Sequence, residues 1–183
     1  MGRAMSPIRS KEEIQKIKDW LLKNKGYKYY FLWTLGTNTG LRISDLLSLR
    51  VRDVRGKTQF AIVTEKTKKE VWVILNPYIR DEIKKYTEGM EEHHFLFQSR
   101  VGVNKKLTRQ MASSVLTEAA TVLGIERMNS HSMRKSFGYW YYKQNQDVYY
   151  LMKLFGHRTQ TQTLQYIGVE LEEIEKTMQN FAV

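Results

Sequence analysis

Residues 59–75, QFAIVTEKTKKEVWVIL, set two Val- and Ile-rich runs on either side of a charged turn. β-Branched side chains suit a pleated, half-buried surface. Gln59–Thr64 and Val71–Leu75 therefore predict a β-hairpin whose tip, residues 65–70, is rich in lysine. On both sides of it the apolar spacing is helical. Upstream, Ser10-Lys-Glu-Glu13 is a capping box, in which the Ser oxygen and the Glu three residues later satisfy orphan amides, and Ile14, Ile17 and Leu21 then share one face. The aromatic run YKYYFLWTLGT at residues 27–37 reads as a buried helix, and Thr39-Gly-Leu-Arg42-Ile-Ser-Asp45 reopens a helix after a glycine break.

Downstream, Asn76 and Pro77 fit an N-cap and first helical position for a helix to about Glu88. A loop through His93 and His94 leads to a short apolar segment, Phe95–Phe97. Thr108 can cap a helix with Met111, Val115, Ala119 and Val122 inward, stopped by Gly124. Three short helices follow, from His131 to about Tyr142, from Asp147, and after Thr159. Residues 170–182 repeat Leu171, Ile174, Met178 and Phe181 at helical spacing. The predicted class is mainly α with a small antiparallel β-sheet, an α+β fold. Residues 1–9 read as a leader, residues 10–168 as one domain and residues 169–183 as a tail helix.

At 183 residues the chain has the length of one domain with a real core. Its 42% hydrophobic and 27% charged residues are ordinary for a globular protein and exclude a disordered one. No stretch approaches the ~20 apolar residues of a spanning helix, and the charged N-terminus is no signal peptide. The absence of cysteine fits a reducing cytoplasm, and four scattered histidines lack zinc-ligand spacing. The net charge is +11, and residues 1–60 alone carry 13 basic against 5 acidic side chains, whereas the last fifteen residues hold four glutamates and one lysine. A basic body with an acidic tail points to a polyanion, most simply nucleic acid; solubility charge is the bland alternative.

His131-Ser-Met-Arg134 puts an imidazole and a guanidinium on one helix face. The guanidinium can hold a phosphate bidentately while the imidazole moves a proton near neutral pH. Alone, that pair arises often by chance. Tyr139, Tyr141, Tyr142, Tyr149 and Tyr150 crowd the same third of the chain as Tyr166, and spacing does not choose among them.

Taken in order, Thr39-Gly-Leu-Arg42-Ile-Ser-Asp45, the hairpin lysine Lys66, His131-x-x-Arg134, Leu154-Phe-Gly-His157 and Thr163-Leu-Gln-Tyr166 resemble the catalytic domain of the tyrosine recombinases, the integrase group of site-specific DNA recombinases. The resemblance runs from about residue 10 to 183 and implies that domain's fold. It implies DNA cleavage by Tyr166, leaving a 3′-phosphotyrosyl link and a free 5′-hydroxyl, with no metal, ATP, cofactor or small-molecule substrate. Arg42 and Arg134 match the arginines that clamp the phosphate oxygens. Lys66 matches the lysine that protonates the leaving oxygen, with Lys68 and Lys69 as rivals. His131 matches the histidine assisting proton removal, His157 the second donor to the phosphate, and Asp45 the acidic position that orients the site. The polar stretch from Arg158 to Thr163 lacks apolar anchors, which suggests a Tyr166 that moves before DNA binds.

Candidate contacts to the backbone of double-stranded DNA are Arg50, Arg52, Arg55, Lys57, Lys68, Lys69, Lys105, Lys106 and Arg109. The resemblance also implies a homotetramer on DNA joined through the tail, and a cytoplasmic, nucleoid-associated protein of a bacterium or phage. Alternatives are a type IB topoisomerase, which shares the cation set, and a non-catalytic DNA-binding regulator on the same scaffold. Two departures stand out. No counterpart of the usual N-terminal clamping domain is present, as in an excised catalytic domain or the short fimbrial inversion recombinases. And Arg134-Lys-Ser replaces the commoner arginine-histidine-threonine.

Overall fold

A computed structural model describes residues 6–65, 68–126, 128–169 and 178–179. Its elements run α1 (Lys11–Lys25), α2 (Tyr27–Thr39), α3 (Ile43–Ser48), α4 (Val51–Val54), β1 (Gln59–Val63), β2 (Glu70–Ile74), α5 (Pro77–Tyr86), α6 (Arg109–Leu123), α7 (Ser130–Asn145), α8 (Val148–Phe155) and α9 (Gln160–Ile167). The architecture is the expected α+β one. Among the described residues no helix is long and apolar enough to cross a membrane.

The aromatic run becomes the central helix. Phe31, Leu32, Trp33 and Leu35 of α2 are fully buried, and α2 packs against α1, α5 and α7. Gly40 ends it in the left-handed region (φ 64°), where a Cβ would also lie 2.4 Å from the Phe137 ring. Glycine alone meets both demands there. The chain can then turn sharply so that Arg42 stands at the start of α3.

The hairpin pairs Gln59 with Ile74 through Val63 with Glu70, antiparallel. Phe60 and Val73 face the core, while Ala61, Val63, Trp72 and Ile74 face outward. The predicted caps at Asn76 and Thr108 recur, and Asp147 and Thr159 cap the helices expected to start there. Asn76 accepts from the Ile79 amide at 2.8 Å, Thr108 from that of Met111 at 3.2 Å, Asp147 from that of Tyr149 at 2.9 Å and Thr159 from that of Gln162 at 3.1 Å. At α1, Ser10 accepts from the Glu13 amide at 3.1 Å, and its hydroxyl donates to Glu12 at 2.7 Å.

Two expectations need correction. In α6 the buried face is Ala112, Val115, Leu116, Ala119 and Ala120, with Met111 and Val122 more than half exposed. The small alanines let the helix sit close to α1 and α7, so the larger side chains flanking them are turned to solvent. The residues set aside as a leader are also part of the fold from Pro7 onward. Ile8 is buried, its amide donates to Ser136 Oγ at 2.8 Å, and Trp140 donates to its carbonyl at 3.0 Å. Arg9 donates to the Gly168 carbonyl at 2.8 Å. Apart from residues 178–179, the tail helix expected over 170–182 lies outside the described residues.

Helices α7, α8 and α9 meet at Gly138, where a Cβ would stand 2.6 Å from Ile167 Cγ2 and 2.9 Å from the Phe155 ring. G138A should therefore lower the unfolding free energy by about 1–3 kcal/mol through overpacking. Urea denaturation measures it, and wild-type stability would contradict so close a crossing.

Candidate active site

Arg134 is the centre of the site. It projects from α7 and is 3% exposed. Its Nη1 donates to the Gly40 carbonyl at 2.6 Å and its Nη2 to that of Leu154 at 3.3 Å. Its Cζ lies 4.3 Å from the centre of the Phe155 ring. Burial, then the nearby Arg42, push its pKa down to about 10, against the opposing pull of Tyr166 and Asp45. It therefore remains a cation at neutral pH, held in one plane by the ends of α2 and α8.

Arg42, half-buried before α3, donates through Nη2 to the Phe155 carbonyl at 3.1 Å. The two arginines thus share an anchor at the end of α8. Gly156 then reverses the chain with φ 70°, and His157 follows. Its Nδ1 lies 3.1 Å from Oγ1 of the buried Thr163, and its ring stands edge-on to Phe155 and Tyr166, at 5.6 and 5.1 Å. Burial, then Arg134 and Arg42, push the imidazole down to about 4, so it is neutral at physiological pH.

Tyr166 sits on α9, its ring 5.3 Å from that of Phe155. Burial raises its pKa, while Arg134 and Arg42 pull it back and a hydrogen bond with Arg134 reinforces that pull. The phenol is thus protonated at rest but faces the two cations best able to hold a phenolate. The side chain is docked against Phe155 and His157 in this structure. The polar Arg158–Thr163 stretch is α9's own start, capped by Thr159 and pinned through Thr163.

Asp45 is fully buried in α3. Its Oδ1 accepts the Glu65 amide at 3.0 Å, which ties α3 to the hairpin turn, and its Oδ2 is without a hydrogen-bond partner among the described residues. Lys66, next along that turn, lies outside the described residues. Lys68 and Lys69 are exposed beside it. His131 is exposed in the otherwise buried first turn of α7, one turn before Arg134. The structure therefore gathers Arg42, Arg134, His157 and Tyr166, with Asp45 bracing the hairpin and His131 exposed one turn before Arg134 on α7.

Two members of the cluster carried no role in the sequence reading. Phe155 is the platform under Arg134, His157 and Tyr166; its place just before Gly156 was its one mark. Lys135 has Nζ 4.8 Å from the centre of the Tyr166 ring, and the departure from the commoner motif was its signal. Tyr141 and Tyr150 pack on each other at 5.0 Å, and Tyr139 packs edge-on against Trp140, as core aromatics would.

The outlying cations divide. Arg55 is committed internally, donating to the Thr87 carbonyl and Oγ1, to the Met90 carbonyl at 2.7 Å, and pairing with Glu92 at 2.7 Å. Arg50 donates to the His93 carbonyl and lies 4.1 Å over Phe95. Both staple the loop after α5, a use that their place in a basic stretch did not reveal. Lys106 lies 3.7 Å from Glu65, while Arg52, Lys57, Lys68, Lys69, Lys105 and Arg109 are exposed.

A family model described as the phage integrase family matches residues 9–173. The probable integrase/recombinase YoeC of Bacillus subtilis (strain 168) is 39% identical over 166 residues, covering 91% of each chain. Tyrosine recombinase XerD of Caulobacter vibrioides is 27% identical over an alignment that covers 97% of this chain but 62% of that protein. Among solved structures, the Tn1549 transposon integrase in complex with transposon right end DNA superimposes with a TM-score of 0.74 at 14% identity. That match covers 97% of this chain and 67% of the other, and it bears on the fold.

The His157 shift has a consequence for stability. The imidazole takes up a proton less readily folded, at about 4, than unfolded, at 6.5. As pH falls the unfolded chain binds that proton first, so stability present above about pH 6.5 is lost on approach to pH 4. In H157Q this part of the acid-side fall in Tm should disappear. An identical pH profile for the two proteins would show that the imidazole is not held neutral.

Proposed function

The chain belongs to the phage integrase family, and on that footing we propose that it is the catalytic unit of a site-specific DNA recombinase, breaking and rejoining strands through a 3′-phosphotyrosyl link on Tyr166. The observation that carries this reading is the convergence of Arg42, Arg134 and His157 on the Tyr166 phenol. A family fold alone brings no chemistry; three reactive groups from separate elements around one hydroxyl do.

In this reading the Tyr166 oxygen attacks the scissile phosphorus and the bond to the 5′-oxygen breaks. The phenol proton leaves with help from His131, and Lys66 supplies the proton taken up by the 5′-oxygen. Negative charge grows on the non-bridging oxygens, where Arg42 and Arg134 are already fixed, so little reorganisation opposes the step. To donate to a phosphate oxygen, neutral His157 must carry its proton on Nε2, which requires the Thr163 hydroxyl to leave the Thr159 carbonyl and donate to Nδ1 instead. The phosphotyrosyl ester retains the energy of the diester, so a 5′-hydroxyl from another strand reverses the step without ATP.

Double-stranded DNA is the partner, held by the exposed cations through its phosphates, in the cytoplasm. The acidic, amphipathic tail suits docking on a second copy of the chain, which would close a tetramer on DNA.

A nicked suicide duplex traps the intermediate. Wild-type protein should form a covalent band and Y166F none, while R134A should slow band formation by about 10²–10³-fold. Adducts on Y166F would overturn the assignment. Truncation after Gly168 should abolish multimers on DNA in sedimentation while sparing solubility, and unchanged assembly would rule out docking by the tail.

A further inference from the structure

We propose that Lys135 is a positioning residue for strand cleavage, holding the Tyr166 ring and favouring its phenolate as the bond to phosphorus forms. The proposal rests on Tyr166 being the nucleophile. Lys135 follows Arg134 on α7, so its side chain leaves the helix on a neighbouring bearing and reaches α9. Its Nζ lies 4.8 Å from the centre of the Tyr166 ring. The side chain is half-buried, and no carboxylate lies within ion-pair range of it among the described residues. A lysine removed from water without a counter-ion is costly, and the ring face is what offsets it. Burial lowers its pKa accordingly.

The charged and titratable groups facing Tyr166 have distinct tasks. From α7 come Arg134 and Lys135, from the turn before α3 Arg42, and from the turn after α8 His157. The two arginines are set to be claimed by the phosphate. Lys135 instead lies over the ring, so its attraction survives that change. As the proton leaves, the ring gains electron density and draws the ammonium more strongly, which lowers the barrier to attack. The tyrosine oxygen forms the bond to phosphorus and the 5′-oxygen departs with a proton; Lys135 exchanges no atoms.

The test is the single-turnover rate of adduct formation on the nicked suicide duplex, across neutral and alkaline pH. K135M, which keeps the stem and removes the charge, should be roughly three- to thirtyfold slower at neutral pH. Its alkaline rise in rate should move to higher pH, and its half-saturating duplex concentration should stay within about twofold of wild type. K135R should restore both rate and profile. If K135M fails to fold, K135Q takes its place. A wild-type rate in the neutral variant, a slower rate with an unmoved profile, a matching loss of duplex affinity, or failure of K135R to rescue would each overturn the proposal. Adducts on Y166F would sink the nucleophile assignment itself, whereas failure of the Lys135 proposal alone leaves Y166F inert.

Discussion

A guanidinium withdrawn from water organises this molecule. Arg134 is buried without an ion pair among the described residues, and a buried charge is among the most expensive things a fold can hold. It is tolerated because two main-chain carbonyls and an aromatic face receive it. Those carbonyls belong to Gly40 and Leu154, so the end of α2 and the end of α8 must both arrive at the same place. Gly40 is needed for its backbone conformation, and Gly138 for the close approach of α7, α8 and α9. The core geometry and the reactive geometry are in this sense one constraint. A shift of α8 would disturb the anchor of Arg42 as well as that of Arg134.

Burial and the crowding of cations together set the electrostatics. Burial is the larger cause at Arg134, His157 and Tyr166; beyond it, Arg42 lowers the pKa of Arg134, and both arginines help keep His157 neutral and draw on Tyr166. A phosphate entering this pocket would relieve repulsion already built into it. That gives the arrangement a preference for a doubly shared anion over a neutral ligand.

Much of this was legible in the chain. The caps at Asn76, Thr108, Asp147 and Thr159 are local signals, read from a residue and its next few neighbours, and they placed helix starts well. The hairpin followed from two runs rich in Val and Ile on either side of a charged turn. The ordered series from Arg42 to Tyr166 named the cluster before any coordinates, but by likeness to a family; spacing could not separate Tyr166 from its five neighbours. What escaped were long-range facts. That Met111 and Val122 face solvent depends on how closely alanines let α6 approach. That Arg50 and Arg55 are consumed by a loop depends on carbonyls 32 to 43 residues away. Phe155 as a platform, and Ile8 as core, were likewise decided by distant partners.

Residues 7–9 bridge two elements that matter. They are hydrogen-bonded to α7 through Ser136 and Trp140, and to the carbonyl closing α9 through Arg9. Any polypeptide joined ahead of Pro7, whether a fused reporter or an affinity handle, is therefore mechanically in series with the helix that bears Tyr166. A trimming boundary chosen at the first residue of α1 would discard a piece of the interior, and a tether pulling at Pro7 would be felt two residues from the phenol's backbone.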